Sequence, residues 1–585
     1  MKILHNHIGY EATGPKHTVV QGKASDRPIT YRLMEHESGR EILTGTAQEV
    51  GPVHKWKDWH FWSIDFDAVQ AEGTYCIECT SGQETVRSFP FAIQTGLLER
   101  NTISNIVYYF KGQRCSGVND KADRHMTFKD DPTERVVDVH GGWYDATGDY
   151  GKHLSHLCFS TYFNPQQIPL VAWSLFQTYQ QLRGKNEANF KQYLQRVLDE
   201  AMFGADYLVR VKNPVGSFYI NVFAPGVDKK PEDRRLVTAM RGFKLAQSAT
   251  SDSYTRNETV RAGDTYETSY RSGAGISIAA LAMASTHEIS GDFEPADYLK
   301  AAEDGFAFLE AHNAELTNDG KENIVDDYCA LVAATELQKA TRKEQYKFAA
   351  DKRANALIQR LTESGGYENY WRADDADRPF FHAADAGFPV VSLLNYLPIA
   401  DGVTKHAVLD AVKKSLSFEL EITDEVNNPF GYSRQLVQNK AGVRRTAFFF
   451  PHDTETEPWW QGENARLASM ATAAKMAASH FTEDKDFYNA LQKFASNQLN
   501  WILGLNPFDT CMLDGSGHNN PEYWFFDSYQ YTNAPGGICN GITSGFADED
   551  DIDFQVPYDV TGQDSDWRWG EQWLPHAAWF LLAVS

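Results

Sequence analysis

The sequence predicts a multidomain chain: an all-β unit at the N-terminus, then an all-α unit that fills the remainder. Three observations predict it. A chain of 585 residues exceeds what one ordinary hydrophobic core supports. Apolar and polar residues alternate through the first ninety-odd positions, the period of a half-buried strand. Beyond residue 98 the apolar period lengthens to that of a helix face.

In the first unit, Trp62, Ile64 and Phe66 alternate with polar residues, as do Tyr75, Ile77 and Cys79. Clusters of Gly, Pro, Asp and Ser separate the runs. Short strands with that punctuation predict a β-sandwich over residues 1–95, immunoglobulin-like in size at about 100 residues. Cys76 and Cys79 form a CxxC within one such strand. An odd offset sends their side chains to opposite faces, so they read as structural thiols.

In the second unit, 98–585, Leu194, Val197, Leu198, Ala201, Met202, Ala205 and Leu208 trace one helical face. Residues 272–285, 323–337, 464–481 and 486–503 are also helix-like. Long polar-aromatic loops, such as 368–389 and 506–566, lie between them. Long loops in a compact helical domain usually carry function. Such an array predicts a toroid of helical hairpins. No clean repeat is visible, so periodicity leaves helix number and closure open.

The charge of −24 excludes a nucleic-acid partner, because phosphate binding needs a basic stripe. It would mildly steer a cationic substrate. No apolar run reaches the length of a membrane span, and the N-terminus, MKILHNHIGYEATGPKHTVV, lacks the apolar stretch of a secretion signal. A cytoplasmic protein is therefore expected. Seven scattered cysteines do not form a disulfide framework. His153 and His156 are three apart but have no evident third ligand, so no metal is expected, and no cofactor either. The acidic run 548–553 lacks the spacing of a calcium loop and reads as a solvated loop.

Two strings carry chemistry. The first is HGGWYDATGDYGKH, residues 140–153, in which Asp145 and Asp149 occupy a Gly-rich turn after the aromatic pair Trp143 and Tyr144. Neighbouring carboxylates can orient a water and perturb each other's ionisation, although Asp beside Gly is also an ordinary turn residue. The second is WRWGEQWLPHAAWFLLAVS, where Glu571 lies among Trp567, Trp569 and Trp573. Indole rings desolvate a carboxyl and keep it protonated, as a general acid requires. A Glu before an apolar helix also satisfies the helix dipole, and the sequence does not separate the two readings.

These residues resemble glycoside hydrolase family 9, the cellulase-type inverting enzymes. GGWYDATGDYGKH is similar to that family's GGWYDAGDYGKY signature, and residues 570–582 resemble its closing motif. HNHIGYEATGPKHTVV is similar to the immunoglobulin-like domain that precedes many of its catalytic domains. YRSGAGISIAALAMAS, WWQGENARLASMATAA and NWILGLNPFDTCMLDGSG resemble further segments. The resemblance implies an (α/α)6 barrel in which the first and last helices adjoin. It implies that Asp149 deprotonates the attacking water, Asp145 helps to hold it and Glu571 protonates the leaving oxygen. It also makes Trp459 and Trp460 a sugar-stacking platform, with Glu463 and His518 at the sugar sites beside Trp143 and Tyr144.

Three departures shape the expected substrate. The family's DAGD is one residue longer here, Asp145-Ala-Thr-Gly-Asp149, which leaves open which Asp is the base. The PHHR segment is replaced by His518-Asn-Asn-Pro-Glu-Tyr-Trp524, and no secretion signal is evident. Together they point to short soluble oligosaccharides and an exo-β-glycosidase that releases glucosamine or glucose. Asp145, Glu455, Glu457 and Glu463 are candidates to meet a 2-ammonium group. An endo-β-1,4-glucanase and a catalytically retired sugar-binding protein are the alternatives.

Overall fold

The computed structural model describes residues 1–156, 158, 160–187, 190–224, 230–238, 265–455, 460–523, 533–555 and 566–585. Ten strands make the N-terminal unit: β1 (Lys2–Leu4), β2 (Gly9–Glu11), β3 (His17–Gly22), β4 (Thr30–Glu35), β5 (Glu41–Thr46), β6 (Gln48–Gly51), β7 (His60–Asp65), β8 (Gly73–Ser81), β9 (Glu84–Arg87) and β10 (Phe91–Gln94). One sheet runs β1-β3-β7-β6; the other runs β2-β10-β8-β4-β5, with β9 also on β8. The alternating residues fill the space between them: Val20, Leu33, Trp62, Ile64, Ile77, Cys79 and Ile93 share one core. Cys79 points into that core while Cys76 Sγ meets the Arg87 guanidinium, on opposite faces as the odd offset requires. All seven cysteines are free thiols.

The helical unit begins at α1 (Leu97–Gln113) and continues with α2 (Gly117–Asp123), α3 (Ile168–Lys185), α4 (Lys191–Arg210), α5 (Gly275–Ala284), α6 (Pro295–Leu316), α7 (Ile324–Thr341), α8 (Glu344–Ile358), α9 (Phe388–Tyr396), α10 (Gly402–Asp424), α11 (Asn464–Ala478), α12 (Lys485–Ile502), α13 (Trp567–Gly570) and α14 (Leu574–Val584). Contacts close a ring: α3 packs on α5, α5 on α7, α7 on α9, α9 on α11, α11 on α14, and α14 back on α3. Outside it α4, α6, α8, α10 and α12 each cover the inner helix that precedes them, and α1 covers α14. This is an (α/α)6 barrel. Every residue of α5 and of α14 is buried, as a helix surrounded by protein demands.

Inner and outer helices alternate, so the inner six run in one direction. The long connections 114–167, 211–274, 359–387, 425–463 and 503–573 all precede inner helices, so each leads into the N-terminal end of one. That end carries Asp145, Asp149 and Glu571. Before α5, Gly273 adopts φ +115°, and a Cβ there would fall 2.5 Å from the Leu154 Cβ, so both the backbone and the space call for glycine; this close approach ties the α5 loop to the α3 loop.

The sandwich is joined tightly to the barrel. Trp56, fully buried, inserts from the β6–β7 connection among Phe430, Phe448, Phe449 and Trp501. Asn6 Nδ2 donates to Asn500 Oδ1 at 2.9 Å, and Glu11 accepts the backbone N–H groups of Gly96 and Leu98 at the start of α1.

Candidate active site

The loop that carries Asp145 and Asp149 is anchored before it reaches them. The Trp143 indole N–H donates to Glu200 Oε1 at 2.8 Å, and Glu200 also takes both arms of Arg114. Past this anchor the loop pairs with the segment that follows Glu571. Leu574 N–H donates to the Asp145 carbonyl at 3.0 Å, Ala146 bridges to Trp573, and Thr147 N–H donates to the Gln572 carbonyl at 2.9 Å. The Thr147 hydroxyl adds a 2.9 Å bond to Gln572 Oε1. Residues 425 apart are thereby held side by side. Glu571 terminates α13, and its carbonyl accepts from Asn540 N–H at 2.8 Å. Tyr109 lies buried in the same corner; burial first, then the Asp145 and Glu571 charges, push its phenol up.

The carboxylates differ in setting. Asp149 and Glu571 are half-buried, whereas Asp145 is fully buried. Asp149 Oδ1 accepts from the backbone N–H groups of Tyr150 (2.6 Å) and Gly151 (3.2 Å), which fixes its rotamer. Asp145 Oδ2 accepts from His156 Nδ1 at 2.9 Å and Gln167 Nε2 at 3.5 Å, with His153 Nε2 at 3.7 Å. Burial holds the His153 imidazole below its usual pKa despite the Asp145 charge beside it. The expectation that His153 and His156 lack a third ligand is therefore corrected: donor atoms of Asp145, His153 and His156 all lie within 4.8 Å of one another.

The other predicted residues fare differently. Tyr144 is half-buried and its phenol oxygen accepts from Asn119 Nδ2 at 3.0 Å. Trp143 has no exposed face and packs on Phe110 and Phe203, so it braces the loop instead of stacking on a sugar. Trp460 is likewise buried, stacked on His452 and covered by Arg568. Glu463 is a buried anchor that accepts from Arg466 (2.8 Å), Gln435 (2.9 Å) and the Phe450 N–H (3.0 Å). His518 turns to the sandwich, where it stacks on His7 at 3.5 Å between ring centres. Glu455 is ion-paired with Arg378, itself sandwiched by Tyr162 and Phe381. The acidic run is a clasp: Asp548 and Asp550 pair with Lys55 of the sandwich, and Glu549 and Asp550 with Arg445. Trp459 and Glu457 lie outside the described residues. Thr147, His156, Gln167 and Gln572 were not anticipated. Only the HxxH spacing hinted at His156.

A family model for glycosyl hydrolase family 9 matches residues 100–545, and a model for the cellulase N-terminal ig-like domain matches 1–84. The chain belongs to glycosyl hydrolase family 9. It is a glycoside hydrolase with an N-terminal immunoglobulin-like domain. The family match ends before Glu571, so that residue rests on the geometry above. Solved structures cover it: a metagenome-derived family 9 endoglucanase aligns over 100% of this chain and 98% of its own, at TM-score 0.65 and 18% identity. A family 9 protein of Bacteroides ovatus gives the same values. A single mutant of a thermostable endoglucanase from Alicyclobacillus acidocaldarius aligns over the same shares at TM-score 0.63 and 16% identity. Comparison with curated proteins gives no match. No helix among the described residues is long and apolar enough to cross a membrane.

Proposed function

We propose that this family 9 chain hydrolyses β-1,4-linked glucan with inversion, acting within the chain as an endoglucanase. Asp149 is the general base, Glu571 the general acid, and Asp145 belongs to the arrangement that holds the attacking water. The observation that carries this is the backbone pairing between residues 145–147 and 572–574, which joins the loop bearing both aspartates to the segment that follows Glu571. Two half-buried carboxyl groups, one beside each side of that pairing, supply the acid and base that the two-carboxylate scheme for inversion needs. Solved relatives named as endoglucanases supply the endo mode.

A neutral sugar is preferred over glucosamine on charge grounds. Of the carboxylates considered for an ammonium group, Glu455 is paired with Arg378 and Glu463 with Arg466, while Asp145 is occupied by His156. The exo reading keeps one argument: the segment in place of the PHHR motif turns toward the sandwich, so His518 is withdrawn from sugar binding. Soluble cellulose and cellobiose against the glucosamine disaccharide separate the readings. Rapid viscosity loss with α-anomeric first products supports the endo proposal. Single sugars released from the start replace it with the exo reading, and saturable binding without turnover defeats both.

A further inference from the structure

We propose that Asp145, His153 and His156 form a binding site for one divalent transition metal of the zinc class. The donor set is two imidazoles and a carboxylate, the combination that binds zinc through three protein ligands while leaving a fourth position open. A tetrahedron with bonds of 2.0–2.1 Å has ligand-to-ligand edges of about 3.3 Å. The observed edges to Asp145 Oδ2 are 2.9 Å from His156 Nδ1 and 3.7 Å from His153 Nε2, on either side of that value.

The protonation pattern of His153 matches a ligand. Its Nδ1 lies 2.7 Å from Asn221 Oδ1, and an amide oxygen can only accept, so Nδ1 carries the hydrogen and Nε2 keeps its lone pair toward Asp145. In that orientation Asn221 Nδ2 reaches Cys158 Sγ at 3.7 Å. This is the outer support that metal-bound histidines ordinarily have. Asp145 Oδ1 is buried with no hydrogen-bond partner, a second sign that this carboxylate is built for more than its present contacts.

A second cluster, His7, Asp509 and His518, has the same composition. There His7 Nδ1 accepts the backbone N–H of His518 at 3.3 Å, so its hydrogen sits on Nε2, the atom that faces Asp509. All three of its side chains are only half-buried, whereas Asp145 and His153 are fully buried, so burial selects the first cluster over the second.

At the selected site a metal-bound water would stand beside the carboxylate that holds the nucleophile, where a cation favours hydroxide. That consequence rests on the proposed glycosidase reading; metal binding itself does not. The test is zinc content of the full chain after chelator stripping, reloading with zinc chloride and desalting, alongside calorimetric titration and the visible spectrum with cobalt(II). One zinc per chain and a tetrahedral cobalt spectrum are expected. His153→Gln with His156→Asn, both near in size and shape, should lower retained zinc at least tenfold with the melting temperature of the stripped protein unchanged. His7→Gln with His518→Asn should leave it intact, as should Glu571→Gln even though it stops turnover. Zinc uptake that is absent, indifferent to the first pair or abolished by the second overturns the proposal.

Discussion

His382 makes the protein acid-sensitive through one turn of backbone. Its ring is fully buried, and Nδ1 accepts the N–H groups of Ala384 (3.0 Å) and Asp385 (2.8 Å). Protonation would aim a third N–H at those two donors, and burial already pushes the imidazole down to about 3 from 6.5. The folded pKa lies below the unfolded one, so the stabilisation is complete above about pH 6.5 and is lost as pH falls toward 3, where the folded ring also protonates. At pH 5.0 the unfolded state binds a proton that the folded state does not, which costs about 2 kcal/mol relative to pH 7.5. His382→Asn preserves an oxygen that can accept both N–H groups and removes the titration. The cavity left beside Phe163 lowers its stability at every pH by a constant amount. The decisive quantity is the difference in urea unfolding free energy between the two proteins, measured at pH 7.5 and pH 5.0. It should move by about 2 kcal/mol in favour of the variant at the lower pH. Asp385, raised to about 7 by burial, titrates in the opposite sense but is present in both proteins and cancels. An equal pH dependence in the two would refute the argument.

Other expectations concern the site and its support. Asp149→Asn and Glu571→Gln should each lower kcat on a natural oligosaccharide by about 10²–10⁴-fold, read in an initial-rate assay of released sugar. Thr147→Val removes the hydroxyl bond to Gln572 while keeping the shape. It should cost about 1 kcal/mol in thermal unfolding and lower kcat several-fold with little change in KM. Trp56→Ala empties a fully buried site between sandwich and barrel and should cost about 3–5 kcal/mol in chemical denaturation.

The sandwich and the outer barrel were legible for one reason: each has a wet face and a dry face. Leu194 through Leu208 read clearly because α4 lies outside the ring and buries one stripe, with Val197, Leu198, Ala201 and Ala205 inward. The inner helices carry no such signal. α5 and α14 are apolar on every side, so their sequences mark them as buried without saying what they touch, and ring closure is a fact about contacts 400 residues apart. The same limit explains the misplaced sugar-binding residues. Trp143 sits beside the Asp145–Asp149 string, but its indole is claimed by Glu200, and His518 is claimed by His7 at the far end of the chain. Glu463, expected at the sugar sites, is also claimed, and here the signal was in the sequence, since Arg466 follows it by one helical turn.

The extra residue in the Asp145–Asp149 turn has a physical account. A turn that only had to present two carboxylates could be shorter; this one also has to supply an edge for the C-terminal strand. Ala146 and Thr147 are spent on that edge, opposite Trp573 and Gln572, and Gly148 at φ +86° then turns the chain so that Asp149 is half-exposed. Asp145, ahead of the edge, is left pointing inward onto His156 and His153. The insertion therefore separates the two aspartates by environment, one half-exposed and tied to backbone amides and one buried beside imidazoles. On that division Asp149 is the aspartate suited to take a proton from water, and Asp145 is the one suited to hold whatever the two histidines help to bind.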